Sequence, residues 1–175
     1  MTDWDDILDR HGPRVWRMAH RLLGNAHDAD DCLQDVFLAA WEYSRSEPIR
    51  HWPAFLQVTL TNKALDRIRR RVRCPDLAGS PTADADLASP DPTPEQHAQA
   101  AELADRLRWA LTLLPDQEAQ VFCLCCLEDF GHAEVAETLG INVGTVGVRL
   151  HRARNRLRDM LIPAAADKPC GEVTR

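Results

Sequence analysis

An all-α chain is what the sequence predicts: two small helical domains joined by a flexible acidic linker. Three observations carry this expectation. Apolar residues recur at spacings of three and four through most of the chain, the mark of amphipathic helices. Aromatic residues make up only 6% while Ala, Leu, Arg and Asp dominate, which favours helix over strand. The stretch 74–92, CPDLAGSPTADADLASPDP, has no period and separates two periodic halves. With 175 residues there is room for one ordinary domain or two small ones.

In the first half, residues 4–23 carry Ile7, Leu8, Val15, Met18, Ala19, Leu22 and Leu23 at helical spacing. Gly12-Pro13 is expected to interrupt them, with Pro13 starting a second helix at its first turn. Gly24-Asn25 closes that helix, and Asp28 is a candidate cap for the next. There Ala29, Cys32, Leu33, Val36, Phe37, Ala40 and Trp41 form a stripe, and Asp30, Asp31, Gln34 and Asp35 occupy the other face. Those acids either favour the dipole of the helix N-terminus or offer a docking surface to a basic partner. Glu47-Pro48 breaks the pattern, and Pro53 restarts a helix to about Val72 with Phe55, Leu56, Leu60, Ala64, Leu65 and Ile68 on its apolar side. Its end, Arg67 to Arg73, is densely basic. Upstream, Trp52, Phe55, Gln57, Thr59, Thr61, Asn62 and Lys63 mix aromatic, amide and basic groups. Rings that stack on bases, amides that read base edges and cations that hold phosphates suit single-stranded nucleic acid. The competing reading places Trp52 and Phe55 in the core.

The second half opens with Thr93-Pro94-Glu95-Gln96, a cap, a first-turn proline and a capping box. Ala100, Leu103, Leu107, Ala110, Leu111 and Leu114 follow as a stripe, and Pro115 opens a helix whose Val121–Leu127 stretch is apolar almost all round. In Gly131–Met160, Val135, Ala136 and Leu139 mark the inward face of one helix. Gly140 permits a left-handed exit, and Asn142 caps a longer helix striped by Val146, Leu150, Ala153, Leu157 and Leu161. At about 100° per residue, Thr145, Val148, His151 and Arg152 project away from that stripe, with Arg149 and Arg156 on its flank. This is the pattern of a helix-turn-helix that reads DNA. Pro163 stops the last helix, and a disordered tail is expected beyond it.

The net charge of −6 misleads until it is mapped along the chain. Residues 1–42 hold nine acids against four bases, 45–73 hold eight bases against two acids, 76–98 hold five acids and no base, and 149–158 hold five arginines. Two basic segments set between acidic ones suggest two DNA contacts and at least one protein contact. An acidic N-terminus unlike a signal peptide, and the lack of a membrane-length apolar run, predict a soluble cytoplasmic chain. The six cysteines stand at irregular spacings. Cys123, Cys125 and Cys126, with His132, are read as small hydrophobes in an apolar helix rather than metal ligands. No phosphate-cradling glycine loop or nucleophile motif appears, so neither an enzyme nor a cofactor is expected.

Taken in this order, the segments resemble a sigma-70-family RNA polymerase sigma factor of the small two-domain extracytoplasmic function (ECF) group. DADDCLQDVFLAAWE (28–42) resembles the helix that docks on the polymerase β′ clamp helices, which implies core-binding roles for Asp28, Asp31, Gln34, Asp35 and Phe37. HWPAFLQVTLTNKALDRIRRR (51–71) resembles the segment that melts the promoter and captures the −10 element. The resemblance places Trp52 and Phe55 near the melted strand, Asn62 on a flipped base, and Lys63, Arg67, Arg69 and Arg70 along the DNA backbone. LPDQEAQVF (114–122) and the helix-turn-helix resemble the −35 reader, giving Thr145, Val148, Arg149, His151, Arg152 and Arg154 as its DNA-facing residues.

The implied domains are 1–74 and 93–162, with a linker at 75–92 and a tail at 163–175. The implied partners are core RNA polymerase, through its β′ clamp helices and β flap, promoter DNA and an anti-sigma factor. The competing function is a helix-turn-helix regulator that never enters polymerase. Three places depart from the family's pattern. Gly147 and Val148 stand where Lys, Arg or Ser is usual, Gly131 replaces a Ser or Thr cap, and SRSEPIR before His51 lacks a common Phe-Arg-Gly run.

Overall fold

Seven α-helices and one π-helical segment make up the described residues, 3–73 and 94–162, of the computed structural model. The linker 75–92, the Thr93 cap and the tail 163–175 fall outside them. Helix α1 (Trp4–Leu23) starts where Asp3 Oδ1 accepts the Asp6 N–H at 3.2 Å, and ends at Gly24, whose φ of 80° suits a residue without a Cβ. It runs unbroken through Pro13, against expectation. Proline removes one bond to the carbonyl four residues back, but Pro13 and Asp9, which carries that carbonyl, are both exposed, so the loss falls on the solvent side of the helix. Ile7 on one side of it and Val15, Met18, Ala19, Leu22 and Leu23 on the other are buried on a single face. Burial of that face outweighs the local cost.

Helix α2 (Ala26–Ser44) is capped by Asn25 rather than Asp28: Asn25 Oδ1 accepts the Asp28 N–H at 2.7 Å. The turn after Gly24 is so tight that Asn25 already occupies the capping position. Ala29, Cys32, Val36 and Ala40 face inward as expected, but Trp41 stands 45% exposed with the Arg45 guanidinium 5.1 Å from its ring centroid. Helix α3 (Trp52–Arg73) buries Ala54, Leu56, Gln57, Leu60, Thr61, Ala64, Leu65 and Ile68. These positions spread over about half its circumference, because α3 is covered from two sides.

Helix α4 (Pro94–Leu113) buries Ala110 and Leu111, whereas Leu103, expected on the same stripe, is 55% exposed. Pro115 precedes α5 (Asp116–Phe122), which widens into a π-helical segment at Cys123–Leu127. There the Glu128 N–H reaches back five residues to the Cys123 carbonyl. The helix-turn-helix follows as read: α6 (His132–Leu139), Gly140 at φ 63°, the Asn142 cap, and α7 (Val143–Leu161).

Two apolar clusters hold these helices, and α3 belongs to both. One gathers the inner faces of α1, α2 and α3 with Ala110, Leu111, Leu114, Ala119, Cys123, Ala153 and Leu157. The other joins Val121, Leu124, Phe130, Val135, Ala136, Val146 and Leu150 with Ala54 of α3. The two helical units therefore share core along α3 instead of meeting only through the linker.

Candidate nucleic-acid interface

Asp28, Asp31 and Asp35 of α2 are already partnered. The Arg67 guanidinium lies 2.5 Å from Asp35 and 3.8 Å from Asp31, and Arg71 pairs with Asp28 while donating to the Leu23 carbonyl at 3.2 Å. Burial works against the charge of Arg67, but the hydrogen bond and charge of Asp35, helped by Asp31, raise its pKa above the ordinary value. His27, Asp28 and Asp31 bring ligand atoms within 4.8 Å of one another, yet the two carboxylates face Arg71 and Arg67. Phe37 is half-buried against the core, and Gln34 is exposed. Sequence reasoning missed Leu38, 58% exposed, which with Gln34 and Trp41 makes a solvent-facing row one helical turn apart. The available signal was a lone leucine on the polar side of the helix.

On α3, Trp52 and Phe55 settle at the rim of the core rather than in it or free of it. Trp52 meets Trp4 edge-on at 5.4 Å, and Phe55 lies 4.9 Å from Tyr43 between ring centroids. Asn62 and Arg70 are exposed, and Lys63 is half-buried. Arg69 is bound up: its guanidinium is 2.6 Å from Asp116 and donates to the carbonyls of Thr112 and Leu114 at 3.4 and 3.3 Å.

The exposed face of α7 forms from its cap outward. Asn142 Oδ1 accepts the Thr145 N–H at 2.7 Å and its hydroxyl at 2.9 Å, so the Thr145 side chain serves the cap. Val148, His151 and Arg152 are exposed, with Arg149 half-buried beside them. His151 Nε2 sits 3.0 Å from Asn155 Nδ2. Arg154, on the flank of the helix one turn on from His151, donates to Cys126 Sγ at 3.3 Å. Among the described cysteines, Cys32 and Cys123 are buried in the apolar clusters, while Cys125 and Cys126 are half-buried. Burial raises the thiol pKa of Cys32 to about 11 and of Cys123 to about 12, and lifts Cys125 as well.

Comparison with known proteins gives this geometry its context. The sigma-70 region 2 family model matches residues 7–74, and the sigma-70 region 4 family model matches residues 104–157. The ECF RNA polymerase sigma factor SigW of Bacillus subtilis is 32% identical over 165 residues, covering 89% of this chain and 87% of its own length. The chain belongs to the sigma-70 family, in its ECF group. SigE of Mycolicibacterium smegmatis, another ECF sigma factor, is 35% identical over 161 residues; that match covers 92% of this chain and 62% of the relative. Among solved structures, CnrH in complex with the cytosolic domain of CnrY covers 90% of this chain and 86% of its own at a TM-score of 0.55 and 26% identity. The sigma factor RpoE from Bartonella quintana, in complex with the anti-sigma factor NepR, shares the fold with a TM-score of 0.57 at 24% identity, covering 92% and 98%.

In the terms of this sigma family, region 4 lies across region 2. Asn62 Oδ1, in region 2, accepts a hydrogen bond at 2.9 Å from Gln120 Nε2 of region 4, and Arg69 grips the start of α5. Gln57 and Thr61, which follow Ala54 on α3 at spacings of three and four, are both buried, and Gln57 Oε1 has no hydrogen-bond partner. Much of the polar face read as a nucleic-acid toolkit is therefore engaged by the chain itself. No described helix is long and apolar enough to cross a membrane.

Proposed function

We propose that the chain is an alternative sigma factor that binds core RNA polymerase, recognises −35 and −10 promoter elements, and promotes strand opening. One observation carries this: a region 2 match and a region 4 match in the same chain and order, over 7–74 and 104–157, each on the helices that bear the chemistry. A helix-turn-helix regulator that stays outside polymerase would have no use for the first half. Residues 1–74 form the core-docking and melting domain, and 93–162 the −35 domain. Asp28, Asp31, Gln34, Asp35 and Phe37 lie on the surface offered to the β′ clamp helices.

Trp52, Phe55 and Asn62 handle the opened strand, with Lys63, Arg67, Arg69 and Arg70 on its phosphates. Thr145, Val148, Arg149, His151 and Arg152 face the −35 duplex, while Arg154, turned to Cys126, braces α7 from its flank. Polymerase makes the RNA, and this chain supplies promoter choice. Two relatives of the same fold are seen with the anti-sigma factor NepR and with the cytosolic domain of CnrY, which supports an anti-sigma partner here as well.

The test is run-off transcription with purified core polymerase on a library of genomic fragments. Discrete start sites that require the chain are expected. A chain that binds core yet directs no specific start, or fails to bind core, would overturn the proposal.

A further inference from the structure

Glu118 is a buried acid that the sigma-factor reading leaves without a task. It stands at the third position of α5, where a glutamate ordinarily reaches back to accept the N–H of the capping residue. Here the capping residue is Pro115, which has no N–H to offer, and no side chain caps α5. Glu118 is nonetheless buried, and its Oε2 has no hydrogen-bond partner among the described residues. What faces that oxygen is the last helix: Arg156 Nε stands 3.3 Å away, on a side chain that is 54% exposed against 9% for Glu118. A carboxylate drawn out of water is costly, and an ion pair without an aligned hydrogen bond offsets only part of that cost.

The contact leaves Arg156 turned outward. It is made through Nε, and the N–H groups of the terminal nitrogens have no partner among the described residues. Thr145, Arg149, Arg152 and Arg156 follow one another at spacings of four, three and four, so they form one row along α7. Arg152 and Arg156 are exposed, and Arg149 is half-buried. A row of guanidinium groups beside a base-reading face is placed to hold phosphates while its neighbours meet base edges.

We propose that Arg156 is a phosphate contact of α7, continuing the row of Arg149 and Arg152, and that Glu118 is the positioning residue that aims it. The inference rests on the reading of α7 as a duplex-facing helix. With Nε held by a buried carboxylate, the planar fork presents its other edge to solvent in one orientation, ready for the oxygens of a phosphate. An arginine loose on the surface would lose its freedom on binding, and affinity would fall by the cost of ordering it.

Phosphate contacts carry no sequence information, so a duplex of random sequence serves as the probe. The labelled duplex is titrated with the full-length chain at several salt concentrations and followed by fluorescence anisotropy, with circular dichroism to establish that each variant folds. Arg156→Ala is expected to reduce the slope of log affinity against log salt by about 0.9, the loss of one phosphate contact. If that variant unfolds for want of a partner to Glu118, Arg156→Ala/Glu118→Gln buries no charge and is expected to show the same loss of slope. Arg17→Ala, which removes an exposed charge from α1, should leave the slope unchanged.

Glu118→Gln alone separates aiming from charge. Electrostatics by itself predicts tighter binding, because a negative charge beside DNA is gone. Aiming predicts binding weaker by about two- to tenfold, because the phosphate must now order the side chain itself. Equal or tighter binding would overturn the role of Glu118. An unchanged slope without Arg156, or an equal fall in Arg17→Ala, would overturn the phosphate contact. Arg152→Ala tells this failure from that of the parent reading. If it too keeps the wild-type slope, α7 does not face a duplex; a slope lowered there but not by loss of Arg156 removes Arg156 alone.

Discussion

Val148 poses the sharpest question about base readout, because it occupies the centre of the side of α7 proposed to face DNA, with no polar atom to offer. It is 51% exposed, and a Cβ added at the neighbouring Gly147 would meet nothing within 4 Å. On the proposed −35 role, an apolar side chain there would read the one apolar feature a base edge presents, the thymine C5-methyl. Burying one methyl contributes about 0.8 kcal/mol, roughly a fourfold change in affinity. Replacing thymines of the −35 element one at a time with deoxyuridine should therefore weaken binding about fourfold at one position. Val148→Ala should abolish that sensitivity while binding the thymine duplex more weakly. Uniform insensitivity in the wild type would remove Val148 from the readout. The sequence already marked Val148 as outward, and its openness follows from a glycine neighbour that periodicity alone cannot weigh.

At the scale of the element, α7 is held at its start by one side chain. Asn142 accepts both the amide and the hydroxyl of Thr145, and a Cβ on Gly144 would come within 3.3 Å of the same oxygen, so the first turn is arranged around it. Asn142→Ala should cost about 1 kcal/mol and lower the melting temperature by about 2–4 °C, with Asn142→Asp recovering most of the loss. Thermal unfolding followed by circular dichroism measures both, and equal melting of the alanine variant and the wild type would deny Asn142 its role. This cap, Gly140 and the whole helix-turn-helix were legible in the sequence, because cap, turn and stripe are local signals that agree with one another. Pro13 was not. Its local cost argues for a break, and only the burial of Ile7 and Val15 on a common face explains why α1 continues. Leu103 fails in the opposite sense: its spacing fits a stripe, but the surface that would cover it is absent among the described residues.

Across the whole molecule, charge and apolar surface tell different parts of the story. The map of acidic and basic segments raises the expectation of two DNA contacts and a protein contact. It did not foretell that Arg67 and Arg71 would pair with α2, or Arg69 with Asp116. Spacing shows which residues turn inward, not which surface they meet, so the sharing of α3 between two clusters was invisible until the helices were placed. That sharing has an energetic consequence. Leu111 of region 4 is 1% exposed and belongs to the same cluster as the inner faces of α1, α2 and α3. Truncating a buried leucine to alanine costs about 2–5 kcal/mol. Were the two regions independent bodies on a tether, hydrogen exchange in Leu111→Ala would accelerate only within region 4. With a shared core, protection must also fall in α1–α3, because closing the seam stabilises each region by mass action, as a bound ligand would. Native-state exchange of the wild type and the variant distinguishes the cases. Faster exchange confined to α4–α7 would mean that the contacts along α3 add nothing to the stability of region 2.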